Sequence, residues 1–204
     1  MCASDGRLSL QTHYRSHTCG QLRKGDVDCD VTLIGFVHRV RDLGGLVFID
    51  LRDHYGKTQL VMSREKADEI GNIKAESVLQ IKGKVAARKD VNPDMPTGEI
   101  EINVETGELM SQPESLPFVV TDKKKIPEHD RLRYRFLDLR RERLHENIIL
   151  RCKVIRKIRE VMHDMDFLEI ETPILTGTSP EGARDYVVPS RVHPGKFYAL
   201  PQAP

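Results

Sequence analysis

Three runs of alternating apolar and polar residues, separated by turns of only a few residues, restrict the front half of this chain to a small antiparallel sheet. Residues 31–41 read as a long strand that is broken by the turn Asp42-Leu-Gly-Gly45. Residues 46–52 form a second strand, and after a turn over 53–57 that contains Gly56, residues 58–62 form a third. Loops this short join antiparallel neighbours, because a parallel crossover needs a dozen or more residues. The period then changes. Residues 64–74 are charged and helix-favouring, with Ala67 and Ile70 three apart on one face. Alternation returns over 77–88 and, beyond a loop holding Pro93, Pro96 and Gly98, over 99–105, a strand with one wet face.

Three strands, a helix and two strands is the chain order of a five-stranded OB-fold barrel, on which oligonucleotides are commonly bound. Pro113 and Pro117 close that segment, and Lys123-Lys-Lys-Ile-Pro127 reads as a hinge. Residues 146–165 then predict an amphipathic helix, with Ile148, Ile155, Ile158, Met162 and Met165 on one stripe and basic residues opposite. Residues 167–175 alternate as a strand, in which Pro173 demands an edge or a break in the ladder. A turn-rich loop over 178–185 leads to a β-like stretch through Arg191 and Phe197 to Leu200. The expected organisation is a polar leader (1–17), the barrel (18–116), a hinge (117–145) and the opening of a second, α/β domain (146–204) that reads as cut off.

Composition narrows the function classes. With 39% hydrophobic and 31% charged residues the chain reads as a globular protein with a core, and no apolar run approaches the ~20 residues of a membrane helix. Residues 1–17 lack the apolar centre of a secretory signal; Arg7 and Arg15 leave a mitochondrial presequence open, and the reading is cytoplasmic. Cys2, Cys19, Cys29 and Cys152 have no paired spacing and read as free thiols or small core residues, while His13, His17 and Cys19 match no zinc pattern. Net charge is only +1, but residues 122–159 carry 14 Lys/Arg against 6 Asp/Glu, a local excess suited to a phosphate backbone.

The long helix followed by a strand through Glu171-Thr-Pro173 resembles motif 1 of class II aminoacyl-tRNA synthetases. The loop Glu181-Gly-Ala-Arg-Asp-Tyr-Val-Val-Pro-Ser-Arg191 and Phe197-Tyr-Ala-Leu-Pro-Gln202 resemble the aspartyl-tRNA synthetases of bacterial and organellar type. So do Cys19-Gly-Gln-Leu-Arg23, Arg41-Asp-Leu-Gly44, Phe48-Ile-Asp50 and Tyr134-Arg-Phe-Leu-Asp-Leu-Arg-Arg141. The resemblance spans residues 18–204.

That resemblance implies an anticodon-binding barrel. Phe48 matches the family's base-stacking residue, and Arg41, Gln59 and Arg88 match positions that meet anticodon bases or neighbouring phosphates. The residue types suit the task, because splayed bases are read by stacking and by hydrogen bonds to their edges. Leu43 matches a position that bears on whether tRNA-Asn is accepted beside tRNA-Asp, and leans toward Asp alone. Glu181 matches the mobile-loop glutamate that engages the ammonium group of L-aspartate, and Pro173 matches the proline of the homodimer interface. Gln202 and Ala203 stand where the substrate pocket begins, Asp166 stands where Gly is common, and Phe36 replaces a frequent Trp. ATP and Mg2+ would serve the full-length enzyme. Motifs 2 and 3, which hold them, are not among these 204 residues, so no complete catalytic set is expected here. The competing readings are a stand-alone tRNA-binding module and a general single-strand-binding protein; the latter has no use for the motif-1 helix.

Overall fold

The computed structural model describes residues 11–177 and 185–200, and the chain divides into two units, Met1–Leu116 and Pro117–Pro204. In the first, the alternating segments become β1 (Asp30–Leu43), β2 (Leu46–Arg52), β3 (Lys57–Ser63), β4 (Val78–Ala87) and β5 (Ile100–Ser111), with α1 (Arg64–Ile70) between β3 and β4 in the chain. The strands form a closed barrel in the order β1-β2-β3-β5-β4. Pairings are antiparallel except β3 with β5, which run parallel over Leu60↔Ile102 and Val61↔Asn103.

Alternation decides what lies inside. Val31, Leu33 and Val37 of β1, Val47, Ile49 and Leu51 of β2, and Leu60 and Met62 of β3 are buried together with Leu79, Ile81, Ile100 and Ile102. The β1–β2 hairpin turns on Gly44 and Gly45, whose φ angles of 63° and 115° suit glycine and let Leu43 pair directly with Leu46. At the β4 bulge, a Cβ on Gly83 would lie 2.3 Å from the Asn103 carbonyl oxygen, so only glycine permits that approach.

Several boundaries differ from expectation. α1 stops at Ile70 rather than Lys74; the Lys74 N–H donates to Ser77 Oγ at 3.3 Å instead of continuing the helix. β5 continues to Ser111 rather than Glu105, because β4 supplies partners for Gly107, Glu108 and Leu109. The described end of the leader is tied to β1, with Ser16 N–H donating to Thr32 O and Thr32 N–H to Ser16 Oγ at 2.9 and 2.8 Å. Cys19 and Cys152 are free, and Cys19 is a buried core residue; Cys29 packs against the core but is disulfide-bonded, so the free-thiol half of the reading fails there. Pairing depends on distance in the fold, which linear spacing does not carry.

The second unit contains α2 (Glu128–Arg133), α3 (Arg135–Asp138), α4 (Glu142–Asp164) and a two-stranded sheet of β6 (Tyr186–Pro189) and β7 (Phe197–Leu200). The stretch read as a hinge is therefore partly helical. Its centre is Asp138, whose buried carboxylate accepts from Arg131, Arg135 and Arg141 at 2.7–3.2 Å. Burial pushes the Asp138 carboxyl upward, but the hydrogen bonds from Arg131 and Arg141 and the surrounding charge hold it below its ordinary value. α4 starts four residues before the expected 146, because Asp122 Oδ2 accepts from the Arg143 backbone N–H at 3.0 Å and serves as a remote N-terminal cap. Asp166 ends it in the left-handed conformation, φ 62°, with Asp166 N–H bonded to His163 O and Phe167 N–H to Met162 O.

The predicted strand over 167–175 is absent. Leu168, Ile170 and Ile174 are 85%, 76% and 74% exposed, and the first ladder contact along this stretch is the bridge Thr176↔Ala199. An alternating pattern makes a strand only where a neighbour takes its N–H and C=O groups, and no described segment does so here. The α4 stripe of Ile148, Ile155, Ile158, Met162 and Met165 is likewise exposed.

Leu60 is fully buried at the barrel seam, so Leu60→Ala lowers barrel stability by about 2–5 kcal/mol, measured by urea denaturation followed by circular dichroism.

Candidate nucleic-acid interface

Side chains of even-numbered β2 residues point away from the core, which places Phe48, Asp50 and Arg52 on the outer face beside β1 and β3. Register then sets the neighbours: Arg41 opposes Phe48, Phe48 opposes Val61, and Asp50 opposes Gln59. Arg41 Nη2 donates to Asp50 Oδ1 at 2.9 Å and to Gln59 Oε1 at 3.1 Å. Gln59 Nε2 donates to Glu101 Oε2 at 2.8 Å across the β3–β5 seam. Since arginine only donates and a carboxylate only accepts, these two contacts fix which end of the Gln59 amide is oxygen.

Gln59 is 4% exposed and lies at the base of the face, while Phe48 is half-buried above the inward-facing Val47 and Ile49. Arg41 Nε is buried with no hydrogen-bond partner among the described residues. Arg88 follows the end of β4; its backbone N–H donates to Glu99 O at 2.9 Å. Ala86 opposes Glu101, so Arg88, two residues on, shares the face that carries Glu101. The four barrel residues singled out in the sequence therefore stand on one outer face, joined there by Asp50 and Glu101. Asp50 was legible from its parity with Phe48, whereas Glu101 needed the parallel β3–β5 register.

Beside this group, Arg52 makes two contacts to Glu76 at 2.8 and 3.0 Å, and Arg52 Nη1 lies 3.2 Å from His38 Nδ1. Arginine must be the donor, so Nδ1 accepts and the imidazole is neutral with its proton on Nε2. Burial, then the charges of Arg52 and Lys57, lower the His38 pKa from its ordinary 6.5.

Comparison with known proteins matches both units. Residues 31–110 fit the model of the OB-fold nucleic acid binding domain, and residues 127–204 fit that of the class II tRNA synthetases for D, K and N. The aspartate–tRNA(Asp/Asn) ligase of Phenylobacterium zucineum is 58% identical over 94% of this chain, and the aspartate–tRNA ligase of Streptomyces avermitilis 56% over the same share. The chain belongs to the aspartyl-tRNA synthetase family. It spans about a third of the length of these relatives, 33% in both cases. The fold is also that of the asparaginyl-tRNA synthetase of Pyrococcus horikoshii (TM-score 0.75, 22% identity, 92% of this chain and 42% of that one). The aspartyl-tRNA synthetase of Entamoeba histolytica is similar too (TM-score 0.64, 23% identity, 74% and 38%).

Of the other residues that the synthetase resemblance singled out, Pro173 stands exposed in the irregular stretch before Thr176, and Leu43 is exposed at the β1–β2 turn. Glu181, Gln202 and Ala203 lie outside the described residues. Relatives named for tRNA(Asp/Asn) and for tRNA alone are about equally similar, so overall identity does not decide what Leu43 selects. No described helix is long and apolar enough to cross a membrane.

Because His38 is held neutral, an unfolded chain takes up a proton more readily than the folded one as pH falls below 6.5. Its contribution to stability is therefore complete above that pH and declines below it, down to the lowered folded pKa. The pH dependence of urea midpoints between pH 7 and 5 flattens in His38→Gln relative to the unmodified chain.

Proposed function

We propose that this chain supplies the anticodon-reading barrel and the opening of the catalytic domain of an aspartate–tRNA ligase, the ATP-dependent enzyme that attaches L-aspartate to tRNA-Asp. In that reaction ATP activates the aspartate carboxylate, and the terminal adenosine of the tRNA then takes the acyl group. The observation that carries the reading is the outer face of the barrel, where Phe48 offers a stacking surface above a polar base of fixed orientation. The part-exposed guanidinium of Arg41 and that of Arg88 add donors for base edges or phosphates. A stand-alone binding module does not account for the synthetase match over 127–204.

Glu181 is proposed to receive the aspartate ammonium, and Pro173, with the exposed apolar stripe of α4, to serve a homodimer interface. A cytoplasmic location and the organisation into leader, barrel, hinge and catalytic opening complete the reading. The described residues contain no group of three or more His, Cys, Asp or Glu suited to a metal ion, so they do not provide for the Mg2+ that accompanies ATP. No step is assigned to it. The purified chain is expected to give no aspartate-dependent pyrophosphate exchange, and exchange above background refutes that expectation.

Fluorescence anisotropy with a tRNA-Asp transcript and with one of altered anticodon tests the barrel. The native anticodon binds more tightly, and Phe48→Ala removes about 1–3 kcal/mol together with the preference. Equal, salt-sensitive binding of both transcripts sinks the anticodon assignment, because backbone charge then dominates.

A further inference from the structure

The β1–β2 hairpin ends in a turn that packing does not hold. A Cβ placed on Gly44 or Gly45 would meet no heavy atom of the described residues within 4 Å, and both residues have positive φ. The turn therefore has the backbone freedom of two glycines. Yet it carries part of the outer face. Leu43 pairs with Leu46, which stands two residues before Phe48 on β2 and so on the same side of the sheet. Leu43 and Leu46 are 66% and 47% exposed and extend the apolar surface of Phe48 to the tip.

A brace reaches this turn from the other side. Asp42 pairs with the buried Val47, so its side chain lies across the ribbon from Leu43. Arg64, the first residue of α1, donates Nη1 to Asp42 Oδ2, and its backbone N–H donates to Gly45 O at 2.9 Å. One residue thus grips both arms of the hairpin at the turn. The guanidinium is itself oriented, with Nε donating to Asp68 Oδ1 and Oδ2 at 3.0 and 3.1 Å. α1 is in turn held to the barrel by the buried Ala67 and by Lys66 Nζ, which donates to Val104 O at 3.1 Å.

We propose that Arg64 is a positioning residue for anticodon recognition: it fixes the Leu43–Leu46 tip so that the tip meets a base next to the one stacked on Phe48. The proposal rests on the tRNA-binding reading above. Holding the tip beforehand lowers the ordering cost that two glycines would otherwise add to binding. Asp42 separates this role from a direct contact of Arg64 with RNA. A phosphate-binding arginine gains when a competing carboxylate is neutralised, whereas a brace loses its anchor. The two roles therefore give opposite signs for Asp42→Asn.

The test is anisotropy titration of the 204-residue chain with native and altered-anticodon tRNA-Asp transcripts, for the unmodified chain, Arg64→Ala, Asp42→Asn and the double variant. Each single variant is expected to lower the ratio of the two affinities about twofold to fivefold, the range of exposed ion pairs. The double variant falls no further than either single one, and hydrogen exchange of the backbone amides over 43–47 quickens in all three. Equal loss for both transcripts in Arg64→Ala, with a salt slope smaller by about one and tighter binding in Asp42→Asn, makes Arg64 a phosphate contact and overturns the proposal. Unchanged exchange at the tip in Arg64→Ala overturns the brace. Faster exchange with an unchanged affinity ratio confines Arg64 to stability and also overturns its role in recognition. An unmodified chain without anticodon preference sinks the tRNA-reading assignment and this proposal together, whereas preference kept in full by both single variants sinks the proposal alone.

Discussion

The parallel pairing of β3 with β5 is short, two residue pairs, yet the barrel and its polar outer face both depend on it. It joins segments some forty residues apart, so the chain entropy lost in closing that loop is recovered only through what the seam buries. Leu60 and Ile102 meet inside, and Val104 follows on the same side of β5. On the outside the same register sets Glu101 beside Gln59. Closure also removes two sheet edges that would otherwise offer unpaired N–H and C=O groups. Core packing and the polar face are thus two sides of one event, and a slip of one residue would exchange them.

The polar face is built so that its members hold one another. Gln59 is buried, and a buried amide is tolerated because both its ends are bonded, to Arg41 and to Glu101. Arg41 is held between Asp50 and Gln59, which neutralises part of its charge and leaves Nε as the unsatisfied donor. Arg52 is similarly confined by Glu76, itself in the left-handed conformation at φ 65°. A face arranged in this way has little left to reorganise, and reorganisation is where much of the cost of binding a flexible partner arises.

How much of this was legible follows from the range of each interaction. Strand parity is local, so the inward set of β2 and the outward position of Phe48 could be read from alternation. The Arg41–Phe48 pairing follows once the Gly44-Gly45 turn fixes the hairpin register. The Gln59–Glu101 contact rests on a parallel register that no local pattern encodes. The start of α4 was misplaced because its cap, Asp122, is 21 residues away from Arg143. Residues 167–175 show the opposite failure: the alternation is real, but a pattern states which face is apolar and not whether a neighbouring strand exists. The Tyr134–Arg141 motif was visible as a string, while its physical content, Arg135 and Arg141 joined by Arg131 on one buried carboxylate, appeared only in the fold.

The Asp122 cap has a mechanical corollary. Together with the Asp138 cluster it converts residues 122–143 from a tether, whose ends wander with length, into a strut of set span. Adding or removing one residue inside it would pull Asp122 away from the start of α4 or break the Asp138 cluster. Tolerance to insertion therefore ends at Asp122 and resumes only beyond Arg143, so length variation among close relatives of this chain should collect outside those two positions.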